Sequence, residues 1–231
     1  MREEAAPGSY AFAHALVRQT LYEELSAARR VRAHGAAAQR LLALREAGRP
    51  VAAAELAHHL IEAAPAGDPE AAARESGRAA ADATTALAWE EAAAHAERGL
   101  RALEWLDAPP AQLRAELLLA HGEAQMRAGE RAAARAALRE AIGAYAALHR
   151  PEDLARSALA LGGVGIFIGR PDEEVCGALE AALQALSPDA DRLRARLLAR
   201  LAIERYYEPP GEASPCGTPT TRTNGSRWPR R

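Results

Sequence analysis

Glu55, His58 and His59 fall within little more than one helical turn, and histidine and glutamate three or four residues apart share a face from which they can ligate a zinc-class ion. The arrangement is not H-E-x-x-H, adjacent histidines project about 100° apart around a helix, and no third histidine is an obvious partner. One packed histidine beside a solvated one, with no metal, is therefore expected. Arg29, Arg30, Arg32 and Arg40, with His34, carry the chemistry of phosphate contact. Glu23, Glu24 and Glu46 flank them and no aromatic residues interleave for base stacking, so a solvated helix face with intrahelical pairs is expected instead. Ser9, Ser26, Ser76, Ser157 and Ser187 sit at caps or in helical patterns, without a G-x-S-x-G elbow. The carboxylates are spread over exposed faces, and no catalytic residue or enzyme activity is expected. Cys176 and Cys216, forty residues apart, have neither a disulfide framework nor zinc spacing, which points to a reduced cytoplasmic protein.

The elements that must position these residues are helical. Leu16, Val17, Thr20, Leu21 and Leu25 share one face of a helix beginning at His14. Ser26 reads as the N-cap of a second helix over 27–47, which Gly48-Arg49-Pro50 stops. Beyond Pro50, Gly, Pro and Asp punctuate amphipathic helices expected over 51–64, 69–86, 89–106, 110–128, 131–149, 152–167, 172–186 and 189–207. Their short connections imply antiparallel neighbours. Tyr10–Ala13 is the one strand candidate.

Composition agrees. Sixty-one alanines, about a quarter of the 231 residues, favour helix, and the 4% aromatic content is too low for several strands. All 29 basic residues are arginine and the formal charge is -2, so no global field draws the chain to nucleic acid or membrane. The first residues lack the apolar core of a signal peptide, and no eighteen-residue apolar run suggests a membrane span.

Taken in pairs, the helices repeat. Ala120-His121-Gly122, Gly129 and Ala141 correspond to Ala160-Leu161-Gly162, Gly169 and Ala181 at a displacement of forty, and Ala92 precedes Ala134 by forty-two. Small residues at such positions let the helices of a hairpin approach closely. The pattern resembles tetratricopeptide repeats, with His121-Gly122 at the Leu-Gly core position and Ala134 and Ala141 at the small second-helix positions. The expected fold is all-α, antiparallel helical hairpins in a tetratricopeptide-like right-handed solenoid.

The string Tyr10-Ala11-Phe12-Ala13-His14-Ala15-Leu16-Val17-Arg18-Gln19-Thr20-Leu21-Tyr22, continued by Glu23-Glu24-Leu25 and the Arg29-Arg30 helix, resembles the end of the winged-helix region in STAND-type regulators of the LuxR family. Ala54-Glu55-Leu56-Ala57-His58-His59 is similar to the string that opens their helical-repeat arm. The resemblance implies a winged-helix remnant and linker helix over 1–48 and repeats over 49–207, while the composition after Glu208, polar with Ala213 as its one alanine, predicts a disordered tail over 208–231. The resemblance also implies that His14 occupies a nucleotide-sensing position facing the ADP diphosphate. ATP or ADP would be bound by a domain upstream, because a chain without lysine has no G-x-x-x-x-G-K-[ST] loop and holds no cofactor of its own in the P-loop manner. The implied partner is a protein, peptide or small inducer on the repeat surface, with DNA contacted only through a domain absent here. The helix from Asp189 reads as the first half of a repeat whose second half does not follow, as in a piece of a longer protein.

Overall fold

The computed structural model describes residues 2–3, 10–11, 15–163 and 171–206. His14, Gly169, Cys216 and the tail expected over 208–231 lie outside the described residues. Two-residue strands β1 (Arg2–Glu3) and β2 (Tyr10–Ala11) pair antiparallel, with Arg2 opposite Ala11 and Glu3 opposite Tyr10. The other regular elements are helical: α1 (Ala15–Glu23), α2 (Ala27–Glu46), α3 (Ala53–Ala63), a 3-10 turn at Ala64–Ala66, α4 (Pro69–Thr85), α5 (Trp89–Leu103), α6 (Ala111–Ala128), α7 (Arg131–Ala147), α8 (Pro151–Leu161), α9 (Glu173–Ala185) and α10 (Asp191–Glu204). The fold is an all-α helical repeat, as the alanine-rich periodicity predicts. The helix expected over 152–167 stops at Leu161, where Gly162 follows and Gly163 turns the backbone to φ +67°.

Helix ends follow from local chemistry. Asp68 and Asp172 accept hydrogen bonds from the backbone N–H groups of Ala71 and of Glu174 and Val175, satisfying donors that the first turn leaves free. Ser26 occupies the N-cap of α2 with extended backbone, but its hydroxyl makes no capping bond. Four C-termini close with the same turn, an N–H reaching back five residues: Arg49 to Leu44, Ala88 to Ala83, Glu130 to Gln125 and Arg150 to Tyr145. The residue before each donor has positive φ, and Gly48 and Gly129 take this conformation without the steric cost that Leu87 and His149 incur.

Consecutive helices from α2 to α10 pack against each other, and the first helices of successive pairs, α4, α6, α8 and α10, also touch in one row. The buried positions give the repeat register. In the first helices Ala115 and Leu118 match Ala155 and Ala158 at forty, as expected. In the second helices Ala134, Leu138, Ala141 and Tyr145 match Val175, Leu179, Ala182 and Leu186 at forty-one. The expected equivalence of Ala141 with Ala181 is thus off by one, since Ala181 is exposed and Ala182 is buried. Before them, Ala73, Ser76, Ala92, Ala96 and Leu103 precede their equivalents by forty-two.

Ala115, Leu138, Ala141, Ala155, Ala158 and Leu179 are fully enclosed in one core cluster, and Leu56, Ala72, Ala73, Leu103 and Leu117 anchor a second with Ala38 of α2. Gly122 is where the alanine rule becomes absolute: a Cβ there would lie 2.6 Å from Leu138 Cγ. α1 is different. Its apolar face forms as predicted, but Leu16, Val17 and Leu21 are exposed, and α1 meets α2 through Tyr22, which touches Arg30 and His34.

Arginines tie elements distant in sequence. Arg45 of α2 gives Glu75 of α4 two hydrogen bonds at 2.9 Å, and Glu75, 5% exposed, is also met by Arg78. Arg135 and Arg139 of α7 clamp Asp172 and Glu174 at the start of α9. Arg200 of α10 donates to the carbonyl of Gly162 and pairs with Glu204.

Two outcomes follow. Gly122→Ala is expected to cost about 1–3 kcal/mol through overpacking, whereas Gly143→Ala, on an exposed helical site with open space around it, is expected to gain about 0.5–1 kcal/mol; urea melts of both variants measure this. The second concerns acid. The Arg135 guanidinium holds the Asp172 carboxyl below its usual pKa, and Arg139 and Arg135 do the same for Glu174. Both pKa values are lowered on folding, so the stabilisation is complete above the unfolded values near 4 and is lost as pH falls below them. Arg135→Ala should flatten that acid limb in stability measured from pH 6 to pH 2.

Candidate functional site

Two constellations emerge from helices that the sequence alone could not place side by side. The first is a cleft of about 380 Å³ crossing the row of first helices. α6 contributes Glu123, Met126 and Arg127, α8 contributes Arg156 and Leu159, and α10 contributes Arg196. Thr84 and Trp89 close it on the side of α4 and α5, and the Arg127 guanidinium lies over the Trp89 ring, 5.3 Å from its centroid. Such a contact stiffens a cation against a flat hydrophobic surface. Arg156 also reaches back one turn to Asp153, at 3.0 Å. Glu123 meets the water of the cleft yet is hemmed in by protein. This desolvation raises its carboxyl above the usual range, against the lowering pull of Arg127, Arg156 and Arg196. The chemistry on offer is recognition of negative charge by guanidinium groups, with Trp89, Met126 and Leu159 as apolar walls.

The second constellation sits where α2 meets α3. His34, only 7% exposed, stands against His58 and His59, and one ring nitrogen from each lies within 4.8 Å of the others. His34 Nδ1 is 2.9 Å from His59 Nδ1, and His34 Nε2 is 3.0 Å from the Tyr22 hydroxyl. The expectation that the histidine pair has no third partner is corrected: twenty-four residues separate His34 from His58, but the Gly48–Pro50 turn folds α3 back along α2. His59 is half-buried and His58 exposed. Burial lowers the pKa of His34, with the neighbouring charge of His58 acting in the same direction. For His59 burial again leads, followed by His34 and His58.

The arginine face expected on α2 divides. Arg29, Arg32 and Arg40 are exposed, but Arg30 is drawn in, bonding the Leu25 carbonyl at 3.0 Å and lying 5.6 Å from the Tyr22 ring centroid. His34 is buried and therefore unable to join them at a phosphate. Arg30 and Tyr22 thus hold the α1–α2 corner, and no continuous basic stripe forms. His121 donates from Nδ1 to the Ala93 carbonyl at 3.0 Å, pinning α6 to α5. Cys176 lies half-buried on α9, and burial pushes its thiol pKa up, away from the reactive thiolate. The cleft arginines were missed from sequence. Arg156 and Arg196 are forty residues apart, the displacement of the first-helix repeat, and that spacing was the available signal.

Comparison with family models, with curated proteins and with solved structures finds no match to this chain. No helix of the described residues is long and apolar enough to cross a membrane.

Tyr22→Phe leaves a ring nitrogen of the buried His34 without its hydroxyl partner. It is expected to lower stability by about 1–2 kcal/mol, while Arg32→Ala on the exposed side of the same helix should stay within about 0.5 kcal/mol of the parent in the same denaturation series.

Proposed function

We propose that this chain is a non-catalytic helical-repeat arm of a cytoplasmic, LuxR-type, STAND-class regulator, binding a protein segment or small inducer on its row of first helices. The cleft lined by Arg127, Arg156 and Arg196 carries the binding part of this reading. Stacked hairpins present equivalent side chains in register, so one surface can read an extended or compact ligand. Three guanidinium groups beside an indole favour a ligand bearing carboxylate or phosphate groups on an apolar body.

The regulator part rests on the Tyr10–Tyr22 and Ala54–His59 strings and on the tetratricopeptide-like placement of Gly122, Ala134 and Ala141. In that reading His14 faces the nucleotide of an upstream domain, and occupancy of the arm is relayed through α1 and α2. A second reading, a stand-alone interaction scaffold, is favoured by one observation: a chain without lysine has no P-loop of its own.

The two readings part on the genomic sequence upstream of Met1, where an in-frame Walker A loop is expected and its absence would favour the scaffold. For the cleft, peptides graded in acidity should bind more tightly as carboxylate content rises, and Arg127→Ala with Arg196→Ala should weaken binding at least about tenfold at unchanged helicity. Equal affinity for neutral and acidic peptides would sink the assignment.

A further inference from the structure

We propose that His34, His58 and His59 form a zinc-class metal site that clamps α2 to α3. The spacing of the rings matches what such an ion requires, and the three nitrogens, within 4.8 Å of one another, have to close to about 3.3 Å around it. Three imidazoles bound at about 2.0–2.1 Å to a tetrahedral ion place their ring centres about 5.2 Å apart. Here the centroid separations are 5.2 Å for His34–His58, 4.9 Å for His34–His59 and 5.3 Å for His58–His59. Although adjacent histidines diverge around a helix, the His58 and His59 rings lie 5.3 Å apart, and His34 approaches from α2 near both. The interplanar angles of 85°, 43° and 54° show that the rings are not stacked face to face.

The donor set selects the ion. Three imidazole nitrogens suit zinc, cobalt, nickel or copper, whereas magnesium and calcium demand oxygen ligands. Glu55 and Glu62 lie one turn before and after the histidine pair on α3 and place negative charge near the site. Both are exposed, leaving water or a partner's carboxylate to complete the fourth position next to the exposed His58.

Protons balance without release. In the metal-free arrangement one of the two facing Nδ1 atoms carries the proton that the other accepts. Binding moves that proton to Nε2 of the same ring, freeing both Nδ1 lone pairs for the ion. If the ring is His34, the new Nε2–H donates to the Tyr22 hydroxyl oxygen, which then orients the ligand from outside the coordination shell. Tyr22 is a positioning residue. Through it the ion would also steady α1, the helix with the least packing of its own. The site is independent of the arginine cleft, which lies across α6, α8 and α10.

The test uses the full chain, stripped with a chelator and titrated with Co²⁺ while visible d–d absorption is followed, then with Zn²⁺ in competition and by calorimetry. One ion per chain is expected, with the intense bands of tetrahedral cobalt, displacement by zinc, and no response to Mg²⁺ or Ca²⁺. His58→Ala changes an exposed ring, so it should keep the metal-free helicity and melting temperature while weakening zinc at least tenfold. His59→Gln, whose amide can still pair with His34 Nδ1, should weaken zinc likewise, and His149→Ala, outside the cluster, should leave affinity unchanged. Zinc should raise the melting temperature of the parent chain and not that of His58→Ala. Absence of saturable zinc binding below about 10 μM, or zinc affinity that His58→Ala and His59→Gln both leave intact, would overturn the proposal.

Discussion

Close approach of helix to helix is the constraint on which this structure depends. A Cβ at Gly122 would enter Leu138, and one at Gly99 would come within 3.0–3.1 Å of Leu117 and Ser76. Around these points Ala92, Ala96, Ala115, Ala134, Ala141, Ala155 and Ala158 are buried. An alanine removes little apolar surface from water by itself, so a core made largely of alanine relies on leucines such as Leu56, Leu117, Leu138 and Leu179 filling the shallow gaps left by small neighbours. Methylene-sized changes are felt strongly in such a core, and the positions that carry the repeat are the ones where side-chain volume is most restricted.

Arginine supplies the second kind of cohesion. Guanidinium groups span between elements and meet both oxygens of one carboxylate, as Arg45 does at Glu75 and Arg135 does at Asp172. The same residue type lines the cleft, where Glu123 is the one carboxylate among the lining residues and Arg156 pairs only within its own helix, with Asp153. The arginines that span helices are thus distinguished from those of the cleft by what faces the guanidinium, not by residue type.

The α2–α3 corner concentrates polar side chains in an otherwise alanine-rich molecule. Tyr22, Arg30, His34, His58 and His59 converge there, and the hydrogen-bonded run from the Tyr22 hydroxyl through both nitrogens of His34 to His59 spans three helices. The stop signal at Gly48–Pro50 makes this possible by reversing the chain within a few residues. A turn chosen for backbone reasons therefore brings distant imidazoles together.

Most of the helices were legible in the sequence, because amphipathic period, caps and glycine or proline stops are local properties, and α4, α5, α6 and α7 begin within one residue of where those signals place them. So was the repeat, since small residues at fixed spacing report helix contact. The one-residue shift between first and second helices was not, because loop length does not say which residue faces inward until burial does. By itself the sequence determined an all-α chain of hairpins, lacking the lysine that a P-loop requires, with His58 and His59 side by side on one helix. Only the tertiary structure decided that His34 is their neighbour, that Arg30 turns inward, and that Arg127, Arg156 and Arg196 share a cleft. Those juxtapositions depend on how helices stack and cross, and that follows from packing summed over the whole chain, which no local pattern encodes.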